Sequence, residues 1–448
     1  MRGGIRCCIV EAFPGSLTGL GDLLADWGMS CIQLDAHAED EELAAQPIDV
    51  YLGDTGSHAA LGVLRRLAAR RRAGGVPVIA LCRRDSPSTI SQALAIGCDD
   101  ALAFPLDEVE LEVRIRSLAA CIFAEREQAR RLALLARYAA PEHHRSRRRD
   151  LLRERQEERP QVLLVGSACE NQVRIANGLG PATVAYADSA RTARRLVDER
   201  AFDLVVVTLP GLGAPPLLTP ADLAREDEAR GFTVLLGGPV DGEAGFATGL
   251  GAGFDDVVSL PQMPELIRLR LDFWLRLQRV RQWLRNPATG AATTLALDSL
   301  SGLYNEGFLR DYVTAALADR AVGSPLTILA VSLTGLAAVN QTSGYAASNL
   351  LVAEAGRRLR RLVRAEDLAA YMGQAQFAVA MENISEQAAR AMAVRTQATL
   401  SRAPIEFMGQ RIAVETLAGV VVLRNRDDVD RLLARTYREL TAARRQVA

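Results

Sequence analysis

The sequence predicts an α/β protein built from two doubly wound parallel sheets in tandem, followed by a third α/β unit. Three observations predict it. Short apolar runs at Cys7–Val10, Val50–Leu52, Val78–Leu81 and Ala101–Phe104 alternate with amphipathic stretches. The same cycle starts again at Pro160, with Gln161–Val165, Leu204–Val207, Thr233–Leu236 and Val257–Leu260 as candidate strands. Finally, a helical pattern over Leu351, Ala355, Leu359, Leu362 and Val363 runs into two short apolar runs, Leu368–Met372 and Phe377–Met381. A polar turn at Gly373–Gln376 joins them, and this is the signature of a hairpin.

Taken in order, the first unit spans residues 1–125. A long helix starts at Asp107 and runs to about Ala140, with Leu111, Ile115, Leu118 and Ile122 as its apolar stripe. Residues 126–159 are read as a charged helical linker. Acids and arginines interleave there over Glu142–Pro160, so a solvated face is expected. No aromatics sit among the arginines, and nucleic-acid binding is not expected. The second unit spans 160–285 and closes on a helix over Met263–Leu284. Phe273, Trp274 and Trp283 on that helix are expected in a core or interface. Asn286-Pro-Ala-Thr-Gly breaks the chain, and the third unit occupies 286–448.

Bulk composition narrows the function classes. At 448 residues, about two to four domains are expected, and 49% hydrophobic with 24% charged residues supplies several soluble cores. The formal net charge of −1 gives no drive towards nucleic acid or a membrane surface. No apolar run reaches the roughly 18 residues of a membrane span, and the N-terminus lacks a signal-peptide core, so a cytoplasmic protein is expected. The seven cysteines are scattered without CxxC spacing, as reduced structural thiols would be. Lysine is absent, so all 53 basic residues are arginines. A phosphate loop of the Walker type and lysine chemistry are therefore excluded. With only four histidines, two of them (His143 and His144) in the charged linker, a histidine-built metal site is not expected.

The first unit resembles a response-regulator receiver domain. Asp54, after Asp49-Val-Tyr-Leu-Gly, stands at the spacing of the phosphoacceptor, and Glu11 keeps one of the family's acidic pair. Ala12 replaces the other acid. Cys82 replaces the hydroxyl residue, and Phe104, before Pro105, replaces the lysine. Phosphoryl transfer to a carboxylate needs Mg²⁺ and a cation on the phosphoryl oxygens, so these losses weigh against a working switch. Asp54 is thus a candidate phosphoacceptor, with a purely structural role preferred. The second unit resembles a receiver more distantly. Thr208 stands at the place of attack, Ser167 and Ala168 replace the acids, and Leu260 replaces the lysine before Pro261. It is read as a pseudo-receiver used for packing or dimerisation.

The third unit resembles the GGDEF domain of diguanylate cyclases. Asp298-Ser-Leu-Ser-Gly-Leu-Tyr-Asn305 agrees with the family's opening motif at six of eight positions. The family's hairpin tip reads Gly-Gly-Asp/Glu-Glu-Phe. Here Gly373 and Phe377 remain, while Gln374, Ala375 and Gln376 replace the second glycine and both acids. Ser332 fills the place of the first metal aspartate and Thr334 replaces the next acid. Asn340 keeps a base-contacting asparagine, Asn349 replaces a guanine-holding Asp, and Arg444 replaces a phosphate-holding lysine. Joining two GTP molecules needs two divalent ions on carboxylates, and each missing electrostatic partner costs about 100-fold or more. No catalytic residue, no metal ligand and no required cofactor are therefore expected. Upstream of the tip, Arg364-Ala-Glu-Asp367 keeps the Arg-x-x-Asp pattern with which the family binds cyclic di-GMP, and Arg395 matches a second arginine of that clamp. Arg offers a planar fork for phosphate, and Asp accepts from guanine N1–H and N2–H. On a helix end at i, i+3 the two would point the same way.

The layout of receiver, receiver and GGDEF, with the acids lost and the sensing pattern kept, implies a non-catalytic cyclic di-GMP effector. The resemblance further implies recruitment to a cell pole, homodimerisation through the receivers and delivery of cell-cycle regulators to a protease through adaptor proteins. Two alternatives stay open at this point: a phosphorylation-controlled regulator acting through Asp54, and residual cyclase activity.

Overall fold

Three five-stranded sheets organise the described residues of this α/β chain. The computed structural model describes residues 4–39, 41–42, 47–72, 75–83, 87–138, 159–223, 231–240, 242–260, 262–286, 295–319, 325–402, 404–423 and 428–445. The charged run expected over Glu142–Pro160 lies mostly outside these residues.

The first sheet holds β1 (Arg6–Glu11), β2 (Ser30–Asp35), β3 (Val50–Asp54), β4 (Val78–Arg83) and β5 (Asp100–Phe104), all parallel, in the order β2-β1-β3-β4-β5. Helices α1 (Leu20–Asp26), α2 (His58–Arg72), α3 (Pro87–Ile96) and α4 (Glu108–Arg137) link and follow the strands. The Asp107 carboxylate starts α4 by accepting from the Glu110 N–H at 2.9 Å, which satisfies one orphan donor of the first turn. The second sheet repeats the plan with β6 (Gln161–Val165), β7 (Thr183–Ala187), β8 (Leu204–Thr208), β9 (Thr233–Gly238) and β10 (Asp256–Ser259). Its order, β10-β9-β8-β6-β7, is the same path through the sheet. Its helices are α5 (Glu170–Gly178), α6 (Ala190–Glu199), α7 (Pro220–Leu223), α8 (Gly242–Gly251) and α9 (Pro264–Arg285). Strands β2 and β7 were not anticipated. They are edge strands whose residues are mostly exposed or half-buried, so neither carries a run of fully buried apolar residues like those of the central strands.

The two parallel-sheet units dock through a buried ionic network with approximate two-fold symmetry. Arg114 of α4 reaches Asp256 at the start of β10, and Arg270 of α9 reaches Asp100 at the start of β5. Each arginine thus crosses to the other unit's carboxylate, and Arg114 Nε also lies 3.3 Å from Asp100 of its own unit. Glu110 joins both arginines, and the Trp274 indole N–H donates to Asp256 at 2.7 Å. Burying such charges is tolerable only because every ion has a counterion.

The third sheet is mixed, in the order β11-β13-β14-β12-β17. It comprises β11 (Tyr304–Asn305), β12 (Leu326–Leu333), β13 (Leu368–Gly373), β14 (Gln376–Glu382) and β17 (Thr416–Val422). A separate hairpin pairs β15 (Ile405–Phe407) with β16 (Gln410–Ile412). Helices α10 (Glu306–Asp319), α11 (Leu336–Leu362), α12 (Glu386–Ser401) and α13 (Val429–Arg445) complete the unit. Every residue of β12 is buried, as a central strand covered on both faces must be. One apolar core runs from the second half of α4 (Leu132, Leu135) through α9 (Trp274, Trp283) into α10 and β13 (Phe308, Leu368). The aromatic residues of α9 are therefore the seam between units, and each buried large side chain there contributes about 1.5–3 kcal/mol.

Candidate functional site

The last turn of α11 ends at Leu362, and β13 begins at Leu368. Between them Arg364 and Asp367 close a tight turn from both ends. The Asp367 N–H donates to the Arg364 carbonyl at 3.2 Å, and the Arg364 N–H donates to Asp367 Oδ2 at 3.0 Å. The expectation of a helix end is thereby corrected. The pair sits in a turn, because Val363 is already extended and α11 has stopped. The two side chains do not point the same way. Arg364 is exposed, while Asp367 is buried with its carboxylate folded back on the turn. A carboxylate at the closing position replaces water at an otherwise unsatisfied N–H, and that explains the inward choice.

Arg395, on α12, joins them. Its Nη2 donates to the Leu362 carbonyl at 2.9 Å and lies 3.2 Å from Met392 Sδ. Its structural task is to cap an orphan carbonyl at the end of α11. That contact also brings a second solvent-facing guanidinium beside the turn.

Burial raises the Asp367 carboxyl from the usual carboxylate range to about 7, against the opposing pull of the Arg364 guanidinium and the Arg364 N–H. The folded chain therefore holds a proton that the unfolded chain has released between about pH 4 and pH 7. Stability from this group is full below the lower value and lost as pH rises through the upper one. Urea midpoints of wild type and Asp367→Asn, measured across this window, are expected to diverge in slope. The wild type loses stability towards pH 7 relative to the variant, and identical pH profiles would contradict this.

The hairpin tip is a two-residue loop, Gln374-Ala375, tighter than the four-residue turn expected. Both residues hold positive φ, 49° and 59°, as the mirror-type hairpin turns require. The Tyr371 hydroxyl accepts from the Ala375 N–H at 3.2 Å, and the Ala375 carbonyl accepts from the Leu333 N–H at 3.0 Å. In the ladder Ser332 stands directly opposite Gln376, and both are buried. Ser332 fills the place where the resemblance calls for a metal-holding aspartate, and Gln376, with Ala375 before it, fills the places of the two tip acids. A hydroxyl and a carboxamide offer neutral oxygens only, so the donor set does not fit a pair of divalent ions. Asn340 accepts a hydrogen bond from the Ser348 hydroxyl, and Asn349 is exposed on the far side of the break at Gly344.

Asp54 ends β3 at the carboxyl edge of the first sheet, 3% exposed, and accepts from the Gly56 N–H at 2.8 Å. Glu11 is turned into the following loop, where it accepts from the Gly15 and Leu17 N–H groups at 3.3 and 3.1 Å. Cys82 is fully buried with its thiol pushed up by burial, and Phe104 packs into the apolar core. Among the described residues these neighbours supply neither a second free carboxylate for a metal nor a cation for a phosphoryl group, a donor set that does not fit Mg²⁺ either. In the second unit the buried Thr208 hydroxyl donates to the Val165 carbonyl at 3.3 Å.

Sequence reasoning missed three residues that matter to the turn. Glu366, within it, is 4% exposed. Its carboxylate accepts from Arg281 Nε of α9 at 3.0 Å, and its carbonyl accepts from Arg131 Nη2 of α4 at 2.8 Å. Nothing local marks these pairs, because their partners lie far away in the chain.

Residues 295–448 match the family described as diguanylate cyclase, GGDEF domain. The chain is similar to the response regulator PleD of Caulobacter vibrioides, 26% identical over 350 residues, covering 76% of this chain and 74% of that protein. That span is longer than the GGDEF match alone and takes in receiver sequence. It is also similar to the transcriptional activator protein IrlR of Burkholderia pseudomallei, 36% identical over 121 residues, covering 25% of this chain and 50% of that protein. Among solved structures, a sensory box/GGDEF family protein from Caulobacter crescentus is 28% identical. It covers 34% of this chain and 99% of that one, with a TM-score of 0.32.

Proposed function

We propose that this chain is a non-catalytic cyclic di-GMP effector, a degenerate relative of PleD similar in that respect to PopA. One contrast carries the reading. The buried positions facing each other at the tip, Ser332 and Gln376, hold no charge, while Arg364 and Arg395 present two guanidinium groups to solvent beside Asp367. A phosphodiester meets the arginines, and a guanine edge meets the Asp367 carboxylate once it leaves the Arg364 N–H. The ligand is a messenger here and no cofactor is required. On this reading the receivers form the homodimer contact, and the bound state recruits protease adaptors and cell-cycle regulators, with placement at a cell pole. A further part of the proposal is that Asp54 is a structural acid; its buried place at the end of β3 is the one observation that favours the alternative of a phosphorylation switch.

Loss of catalysis has a direct check. Incubated with GTP and Mg²⁺, the purified protein is expected to yield no cyclic di-GMP by mass spectrometry. Turnover above a protein-free blank restores the cyclase reading.

A further inference from the structure

We infer that Glu366 is a positioning residue for the ligand turn, and that through it the affinity of that turn for a guanine dinucleotide is set by how α4 and α9 dock against the C-terminal domain. The inference rests on the function proposed above and goes further, because it assigns the route between the N-terminal units and the ligand.

The geometry is a two-sided grip on a four-residue turn. Arg364 faces solvent, and Glu366, two residues on, faces the protein. Each parallel-sheet unit sends its last helix to Glu366. Arg281 of α9 holds the carboxylate at 3.0 Å, and Arg131 of α4 holds the carbonyl at 2.8 Å. Arg131 is 1% exposed and also donates to the Leu284 carbonyl of α9 at 3.1 Å and to Glu127 at 2.6 Å. One guanidinium therefore ties α4, α9 and the turn together, in a site where water cannot substitute. A shift of α9 against α4 cannot leave these contacts intact and keep Glu366 in place. Asp367, the neighbour of Glu366, is the residue whose carboxylate closes the turn on the Arg364 N–H. Displacing Glu366 consequently alters the acceptor that would read guanine. Coupling of this kind is reciprocal: whatever strengthens helix docking strengthens ligand binding, and bound ligand stiffens the helix pair.

The test uses the full chain with cyclic di-GMP as the probe. Calorimetric affinities are compared for wild type, Arg281→Gln, Glu366→Gln and the exchanged pair Arg281→Glu with Glu366→Arg. Coupling free energies in proteins correspond to about 5- to 150-fold, so each single variant is expected to bind roughly tenfold more weakly, with recovery in the exchanged pair. Arg281 is partly exposed, so its replacement leaves the core intact. Hydrogen exchange supplies the readout that simple loss of packing would not move. Ligand is expected to slow amide exchange at the C-terminal end of α9 in wild type and not in Glu366→Gln. Single variants that bind like wild type, or an α9 whose exchange ignores the ligand, would overturn the inference and leave the effector reading standing. A wild type that binds no cyclic di-GMP would instead remove the effector reading and this inference with it.

Discussion

Arg364→Ala is expected to lower the affinity for cyclic di-GMP by about 100-fold or more. A guanidinium bound to a phosphate makes charge-assisted hydrogen bonds worth about 1.5–3 kcal/mol each, and a bidentate grip makes two. The side chain is exposed, so truncation costs the fold little, and the backbone N–H that Asp367 holds is untouched. Arg395→Ala is the informative comparison. It removes a second cation but also uncaps the Leu362 carbonyl, so binding and stability fall together. Affinity lost in Arg364→Ala with an unchanged melting curve separates recognition from folding. Equal affinities for wild type and variant would contradict the assignment.

Arg131→Ala is expected to cost about 3–5 kcal/mol of stability, the penalty for removing one partner of a buried ion pair. Three acceptors lose their donor at once: the Glu127 carboxylate and the Leu284 and Glu366 carbonyls. Arg130 still lies 3.2 Å from Glu127, and that places the effect at the lower end. The Tyr312 hydroxyl, which donates to Glu127 at 3.1 Å, loses its setting as well. Arg131→Lys keeps the charge but offers no planar fork, so it recovers only part of the loss. Urea unfolding checks this through the midpoint at unchanged slope. A shift worth less than about 1 kcal/mol would show that the junction does not depend on this residue.

What the sequence made legible divides along a physical line. Strands β3, β4, β8 and β9 announced themselves because a strand buried on both faces must be apolar throughout. Strands β2 and β7 did not: Ser30, Gln33 and Asp35 interrupt the apolar residues of β2, and the short Val184–Ala187 run of β7 lies on a sheet edge and is mostly not fully buried. The Arg364–Asp367 pattern was legible as a spacing, but its conformation was not. A carboxylate three residues after an N–H serves a helix cap or a closed turn equally well, and only Val363, extended in the structure, decides between them. The cross-linking residues were illegible for a different reason. Arg114 with Asp256, Arg131 with Glu366 and Arg281 with Glu366 pair across units, and in a chain whose basic residues are all arginine no single one stands out. The emptied acidic positions, by contrast, were plain from residue type alone, and the ladder adds that Ser332 and Gln376 face each other.

Calorimetric titration of the intact wild-type chain with cyclic di-GMP, at a pH above the Asp367 value so that its carboxylate is free to accept, measures the central proposal directly. Saturable binding, abolished together with Arg364, is the predicted result. A flat titration at ligand concentrations that saturate ordinary receptors for the dinucleotide would leave the turn a purely structural feature.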